Sequence, residues 1–102
     1  MTYHAIFHAE VKTDYDEAYV WYESQEEGLG EKFLAAVRNK IEEIVISPET
    51  YGERTEKGYR EAVVDGFPFS IIYTVYKKKK EIFISSIHHH KKNPKKKYRK
   101  TK

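Results

Sequence analysis

Cysteine is absent from this sequence. That removes disulfide staples, thiolate metal sites and cysteine nucleophiles, and it fits a reducing compartment. Long apolar runs are missing too. None approaches the ~18 residues of a membrane span, and the opening MTYHAIFHAEVK lacks the basic start and apolar core of a secretory leader. A soluble, cytoplasmic protein is expected, with no membrane partner. Acidic residues nearly vanish from the last quarter. Residues 1–76 carry 7 Lys/Arg against 15 Asp/Glu, and residues 77–102 carry 12 against one, Glu81. The overall charge of +3 is therefore a −8 body joined to a +11 end. Such an end attracts phosphate backbones or acidic proteins by long-range steering. Within it, residues 91–102 hold 8 Lys/Arg and no acid. The 102 residues suit one domain whose core forms without staples.

The chain alternates strand and helix patterns in a readable order. Tyr3 to His8 alternates, with Tyr3, Ala5 and Phe7 on one face, which predicts a short strand. Val11, Tyr15, Ala18 and Tyr22 recur at helical spacing and predict a helix over Val11–Ser24. Tyr19 widens that stripe. Trp21 lies off it and is expected to meet the second helix or the sheet, while Asp14, Asp16, Glu17 and Glu23 take the wet side. Gly28 and Gly30 permit the positive φ of a tight turn. Phe33, Val37, Ile41 and Ile44 then mark a second helix over Leu29–Ile46, stopped by Ser47-Pro48. After a polar loop over Pro48–Gly58 come three strand candidates: Tyr59–Val64, Phe69–Tyr76 and Glu81–His89. The turn Gly66-Phe67-Pro68 links the first two, and the basic run Lys77–Lys80 forms a hairpin loop between the others. The fold class expected is α+β: an N-terminal strand, an antiparallel helical hairpin and a three-stranded antiparallel meander, with the helices on one face of the sheet.

That order, with several short strings, resembles the RelE/ParE superfamily of toxins. The strings are Trp21-Tyr22-Glu23; Gly28-Leu29-Gly30 with Phe33; Ser47-Pro48; Gly58-Tyr59-Arg60; Phe67-Pro68-Phe69 with Ile71 and Tyr73; and His89 with Lys91-Lys92-Asn93-Pro94. The resemblance covers nearly the whole chain. Each string alone is weak, and their joint order and spacing are specific. This chain departs from the family in four places. Phe69 stands where tyrosine is frequent. Lys91-Lys92 replaces an arginine pair, which keeps charge but loses the bidentate fork. Asn93 replaces an aspartate, and Tyr98 comes later than the usual aromatic. The resemblance implies the toxin half of a type II toxin–antitoxin module of the plasmid-stabilisation kind. Such a toxin arrests growth, is neutralised by a small cognate antitoxin, and forms a hetero-oligomer with it. The antitoxin's disordered C-terminal segment would fold along the toxin and cover its basic groove. Residues 1–98 are expected to form the toxin domain and residues 99–102 a basic tail.

Superfamily members use this fold in different ways, and fold alone does not choose between them. One branch cuts messenger RNA on the ribosome; another poisons DNA gyrase and is not a hydrolytic enzyme. The strings Trp21-Tyr22-Glu23 and Gly28-Leu29-Gly30 sit closer to the gyrase branch, so gyrase inhibition is favoured over the ribosome-dependent endoribonuclease. A third alternative is a non-toxic nucleic-acid-binding module, but aromatic residues are sparse in the basic end. Metal-independent RNA cleavage needs a proton acceptor, a phosphate stabiliser and a proton donor. Arg60 suits a phosphate clamp, His89 an acid or base, and Tyr98 stacking or proton donation. Lys91 and Lys92 suit phosphate or target binding. The bland counterpart is that Arg60 pairs with Glu61 or Glu53 and His89 caps a strand. In the triple His88-His89-His90, His88 and His90 share a face, but without an acidic or thiolate ligand they make a poor metal site. No metal or cofactor is expected. Removal of residues 91–102 is expected to leave the fold nearly unchanged, because lysines projecting into water stabilise little.

Overall fold

The computed structural model describes residues 3–52, 58–92 and 97–100. Its elements are β1 (His4–Phe7), α1 (Val11–Gln25), α2 (Leu29–Ile46), β2 (Arg60–Val63), β3 (Phe69–Tyr76) and β4 (Glu81–His89). The three C-terminal strands form the expected antiparallel meander, and β1 joins it parallel to β4, which gives the order β1-β4-β3-β2. The architecture is the α+β layer read from the apolar patterns. Glu53, Asn93 and Pro94 lie outside the described residues.

The inner face of the sheet is apolar. Phe69, Ile71 and Tyr73 of β3 and Ile82, Ile84 and Ile87 of β4 meet Val11, Ala18 and Tyr22 of α1 and Phe33, Val37 and Ile44 of α2. Phe33 is fully buried and is ringed by Tyr22, Phe67 and Phe69 at centroid distances of 5.3, 5.3 and 5.0 Å. Ile84 and Ile87 reach the same face although three apart, because β4 bulges. Ile72 pairs with Ser86 and Tyr73 with Ile84, which leaves Ser85 as the extra residue. Ser85 and Ser86 are both buried, and their hydroxyls reach the carbonyl of Lys97 at 3.2 and 2.8 Å.

The helical hairpin closes through one carboxylate. Glu23, expected on the wet side, accepts the Gly28 N–H through Oε2 and the Gly30 N–H through Oε1, both at 2.9 Å. These amides lie at the start of α2, where intrahelical partners are lacking and negative charge is favoured. Gly28 supplies φ +88°, and Gly30 supplies room: a Cβ there would stand 2.8 Å from Glu23 Oε1 and 2.9 Å from the Tyr19 ring. Trp21, expected to meet the second helix or the sheet, stays 58% exposed and lines a cleft with Phe69 and His89. Ile41, expected in the core stripe, is only half-buried.

Phe33→Ala empties the centre of the aromatic cluster and is expected to cost about 3–5 kcal/mol. Gly30→Ala forces the Tyr19 ring and the Glu23 carboxylate apart and is expected to cost roughly 1–3 kcal/mol. Urea unfolding measures both; a Gly30→Ala midpoint equal to the parent's contradicts the tight-approach account.

Candidate functional site

β4 outruns β1. The pairing of β1 ends at Phe7 with Ile84, so the stretch of β4 beyond it has an open edge. Asp14, in the first turn of α1, fills that edge: its Oδ2 accepts the Ile87 N–H at 3.0 Å. The same carboxylate receives Arg99 in bidentate fashion, Nη1 to Oδ2 and Nη2 to Oδ1, both at 2.9 Å. Arg99 also donates to the Ser85 carbonyl at 3.2 Å. On the outer face the Tyr98 hydroxyl donates to Glu61 at 3.0 Å, and Lys97 Nζ lies 2.6 Å from the same carboxylate. The Tyr98 ring packs on Tyr59 at 4.9 Å. Residues 97–100 are therefore a strap across the sheet, and Arg99 and Asp14 side chains are 16% and 15% exposed. These contacts lie within the segment expected to be dispensable for folding, and the expected boundary after Tyr98 falls inside residues 97–100.

Beside this knot a cleft of about 390 Å³ runs between α1 and the end of β4, floored by Ala18, Phe69 and Ile87. A hollow of about 290 Å³ adjoins it and shares Ala18, Trp21, Phe69, His89 and Lys92. His89 packs edge-on to Phe69 at 4.9 Å. Its Nδ1 accepts the Lys91 N–H at 3.0 Å, so the ring proton sits on Nε2. Burial lowers the His89 pKa below its ordinary value, and the charges of His90, Lys91 and Lys92 add to that. Lys91 is exposed, and Lys92 Nζ stands 3.6 Å from Glu17. Trp21 forms the outer wall, edge-on to Tyr22 at 5.1 Å. The result is a cleft with an aromatic wall, whose lining also holds Lys91, Lys92 and Arg99 and the carboxylates of Glu10, Asp14 and Glu17.

The other two candidate catalytic residues stand elsewhere. Arg60 opens β2 in register with Tyr73, whereas His89 is in register with Phe69, roughly 13 Å along the strand. The Arg60 guanidinium donates to the Tyr51 carbonyl. With Tyr73, whose buried hydroxyl donates to the Pro48 carbonyl at 2.7 Å, it pins the segment after α2 to the sheet. Burial pushes the Tyr73 hydroxyl up to about 12. Tyr98 belongs to the outer face, opposite both. Arg60, His89 and Tyr98 thus occupy three places, while His89, Lys91 and Lys92 share one. His90 Nε2 meets the Ser70 hydroxyl at 2.9 Å, and no group of three His, Asp or Glu able to hold a metal occurs among the described residues. Sequence patterns do not mark Asp14, Trp21, Glu61 and Arg99 as parts of the site. Arg99 carries one signal, as the single arginine within a lysine run.

Residues 5–94 match the family model described as ParE toxin of type II toxin-antitoxin system, parDE. The chain belongs to the ParE toxin family. No curated protein sequence matches it. Two solved structures share the fold of this ParE-family chain. One is the chromosomal ParDE TA system from P. aeruginosa, at 25% identity and a TM-score of 0.64, covering 86% of this chain and 96% of that one. The other is a double mutant of the E. coli toxin RelE in the free state, at 15% identity and a TM-score of 0.66, covering 89% and 86%. Among the described residues of the ParE-family chain, no helix is long and apolar enough to cross a membrane.

Arg99→Ala leaves the half-buried Asp14 carboxylate without its cation and is expected to destabilise the fold by roughly 2–3 kcal/mol, below the ~3–5 of a fully buried pair. Thermal unfolding measures it, and a loss under ~0.5 kcal/mol, the range of ordinary surface changes, sinks the strap account. Histidine supplies a second prediction. Burial, then Lys97, lowers the His88 pKa below its ordinary 6.5. The folded state therefore binds this proton less readily than the unfolded chain. The contribution is complete above pH 6.5 and is lost as pH falls through that value toward the folded pKa. The melting temperature of the parent is expected to fall between about pH 7.5 and about pH 5.5, and His88→Gln to fall less steeply over the same range.

Proposed function

We propose that this ParE-family toxin arrests growth by docking its His89 cleft on DNA gyrase, and that a cognate antitoxin neutralises it by covering that basic end. The observation that supports this is the separation of Arg60, His89 and Tyr98. A nuclease needs its phosphate clamp, base and acid within reach of one scissile bond. Arg60 donates from one guanidinium nitrogen to the Tyr51 carbonyl, and Tyr98 donates its hydroxyl to Glu61 on the opposite face. Docking requires no such convergence. It requires an exposed aromatic anchor with flanking charge, and Trp21 beside Lys91 and Lys92 is of that type. The cations also give an acidic antitoxin segment a target, with rim charge supplying speed and register while apolar contacts supply affinity. The antitoxin complex is then a hetero-oligomer, and the cell compartment is the cytoplasm.

The test uses purified protein in a gyrase supercoiling assay and in a ribosome-dependent mRNA cleavage assay. Inhibition of supercoiling is expected, falling about tenfold or more in Trp21→Ala and in the double variant Lys91→Glu/Lys92→Glu. Arg60→Ala is expected to retain inhibition, with some loss of thermal stability. Messenger RNA cleavage by the parent that Arg60→Ala abolishes overturns the gyrase reading in favour of a ribosome-dependent endoribonuclease.

A further inference from the structure

Four consecutive lysines form the tip of the β3–β4 hairpin. Tyr76 pairs with Glu81 across the ladder, which leaves Lys77, Lys78, Lys79 and Lys80 as the loop. All four are exposed. The Lys80 N–H donates to the Lys77 carbonyl at 3.2 Å and closes the turn. Lys80 itself takes φ +57°, the one non-glycine residue with positive φ among the described residues. Glycine adopts that conformation at lower cost, because a Cβ crowds the following carbonyl. Strand β1 fixes it there, since the His4 N–H donates to the Lys80 carbonyl at 2.8 Å. Two features thus oppose the stability of this turn: a left-handed lysine and the mutual repulsion of neighbouring ammonium groups. A residue held in a sparsely populated conformation points to a role beyond the fold.

The charge at the tip is largely unmatched. Glu49 meets Lys77, and no carboxylate pairs with Lys78, Lys79 or Lys80 among the described residues. Glu81, next in the chain, opens β4 in register with His4 and Tyr76. Lys80 Nζ lies over the Tyr3 ring, 5.2 Å from its centroid. That contact orients the ammonium without cancelling its charge. The other cations of the basic quarter are more engaged: Glu61 holds Lys97, Asp14 holds Arg99, and Lys92 faces Glu17. Residues 1–76 carry a net charge of −8 and repel a polyanion. Lys78–Lys80 is therefore the densest run of unmatched cations among the described residues, and it sits where a hairpin ends.

We infer that Lys78, Lys79 and Lys80 bind the phosphate backbone of duplex DNA. Lysines are point charges without the fork that selects a single carboxylate or phosphate, so a row of them suits a row of anions. Duplex DNA offers the required density, one charge per ~1.7 Å of axis, and binding to it needs no apolar anchor. An acidic protein would need such anchors for affinity, and the loop has none between its lysines; Tyr76 at its base is 38% exposed. Single strands are held on successive aromatic platforms, which this loop also lacks. Duplex RNA is recognised in large part through its 2′-hydroxyls, and ammonium groups offer them no acceptor. The inference does not rest on the gyrase reading. The tip and the His89 cleft stand at opposite ends of β4, roughly 25 Å apart along the strand.

The test titrates the full chain into a short fluorescent DNA duplex of mixed sequence at several salt concentrations and reads anisotropy. Each phosphate contact removed flattens the plot of log affinity against log salt by about 0.9. Lys80→Gly is expected to flatten it by about 1 and Lys78→Ser/Lys79→Ser by about 2. Lys80→Gly also relieves the left-handed lysine, so its melting temperature is expected to match or exceed the parent's. Weaker binding by a chain at least as stable excludes damage to the fold as the cause. If Lys80→Gly melts lower, the double serine variant, at exposed turn positions, carries the test. Absence of binding at low salt overturns the inference, as does a slope unchanged in both variants. So does binding that is lost in Lys91→Glu/Lys92→Glu and kept in the tip variants. Poly-glutamate, single-stranded DNA or duplex RNA bound more tightly than the DNA duplex overturns it as well.

Discussion

A short strand beside a long one imposes the constraint on which this molecule turns. β1 has 4 residues and β4 has 9, so the far half of β4 would present unpaired backbone to solvent or to aggregation partners. Asp14 resolves this with one side chain. Its carboxylate takes the Ile87 amide and both Arg99 nitrogens, joining α1, β4 and the C-terminal strap at one point. A carboxylate this far from water requires such partners. The bulge at Ser85 serves the same end, since it turns two hydroxyls outward to hold the strap while Ile84 and Ile87 keep the inner face apolar.

The strings that carry the family resemblance have structural work in this chain. Tyr22 supplies a ring to the Phe33 cluster. Glu23 binds the first amides of α2, and Gly30 lets it approach. Tyr73 and Arg60 pin the loop after α2. Lys40, one of the few buried charged groups, serves the same loop: it donates to the Tyr51 hydroxyl at 3.2 Å and to Glu43 at 3.0 Å. Burial opposes its charge, but those two bonds raise its pKa above the ordinary value. These requirements belong to the fold and say nothing by themselves about a target. Trp21 and Lys91 are exposed and carry no such duty, while Lys92 pairs with Glu17.

The basic C-terminal quarter divides into parts with different physics. Lys97 and Arg99 are consumed internally by Glu61, Asp14 and Glu10, the last at 3.8 Å from Arg99. Lys91 and Lys92 remain at the cleft, and Lys78–Lys80 crown the opposite end of β4. A net charge of +11 over residues 77–102 therefore overstates the cation offered to a partner. Among the described residues it offers two outward patches, Lys78–Lys80 and Lys91–Lys92, with an internally neutralised pair, Lys97 and Arg99, between them.

The pattern of apolar residues was sufficient to assign every element. Helical stripes and strand alternation are local periodicities, so Val11, Leu29, Ile46, Phe69, Tyr76, Glu81 and His89 were readable as element ends, with β1, α1 and β2 differing by a residue at their margins. Charge sign, the basic end and the grouping of His89 with Lys91 and Lys92 were equally local, being neighbours in the chain. What sequence distance hides was decided by the tertiary structure. Asp14 and Arg99 stand 85 residues apart, Glu61 and Tyr98 stand 37 apart, and neither separation leaves a periodic trace. Arg60 looked available because arginine in a strand is compatible with both a phosphate and a carbonyl. Only the path of the loop after α2, which brings the Tyr51 carbonyl to it, selects the carbonyl.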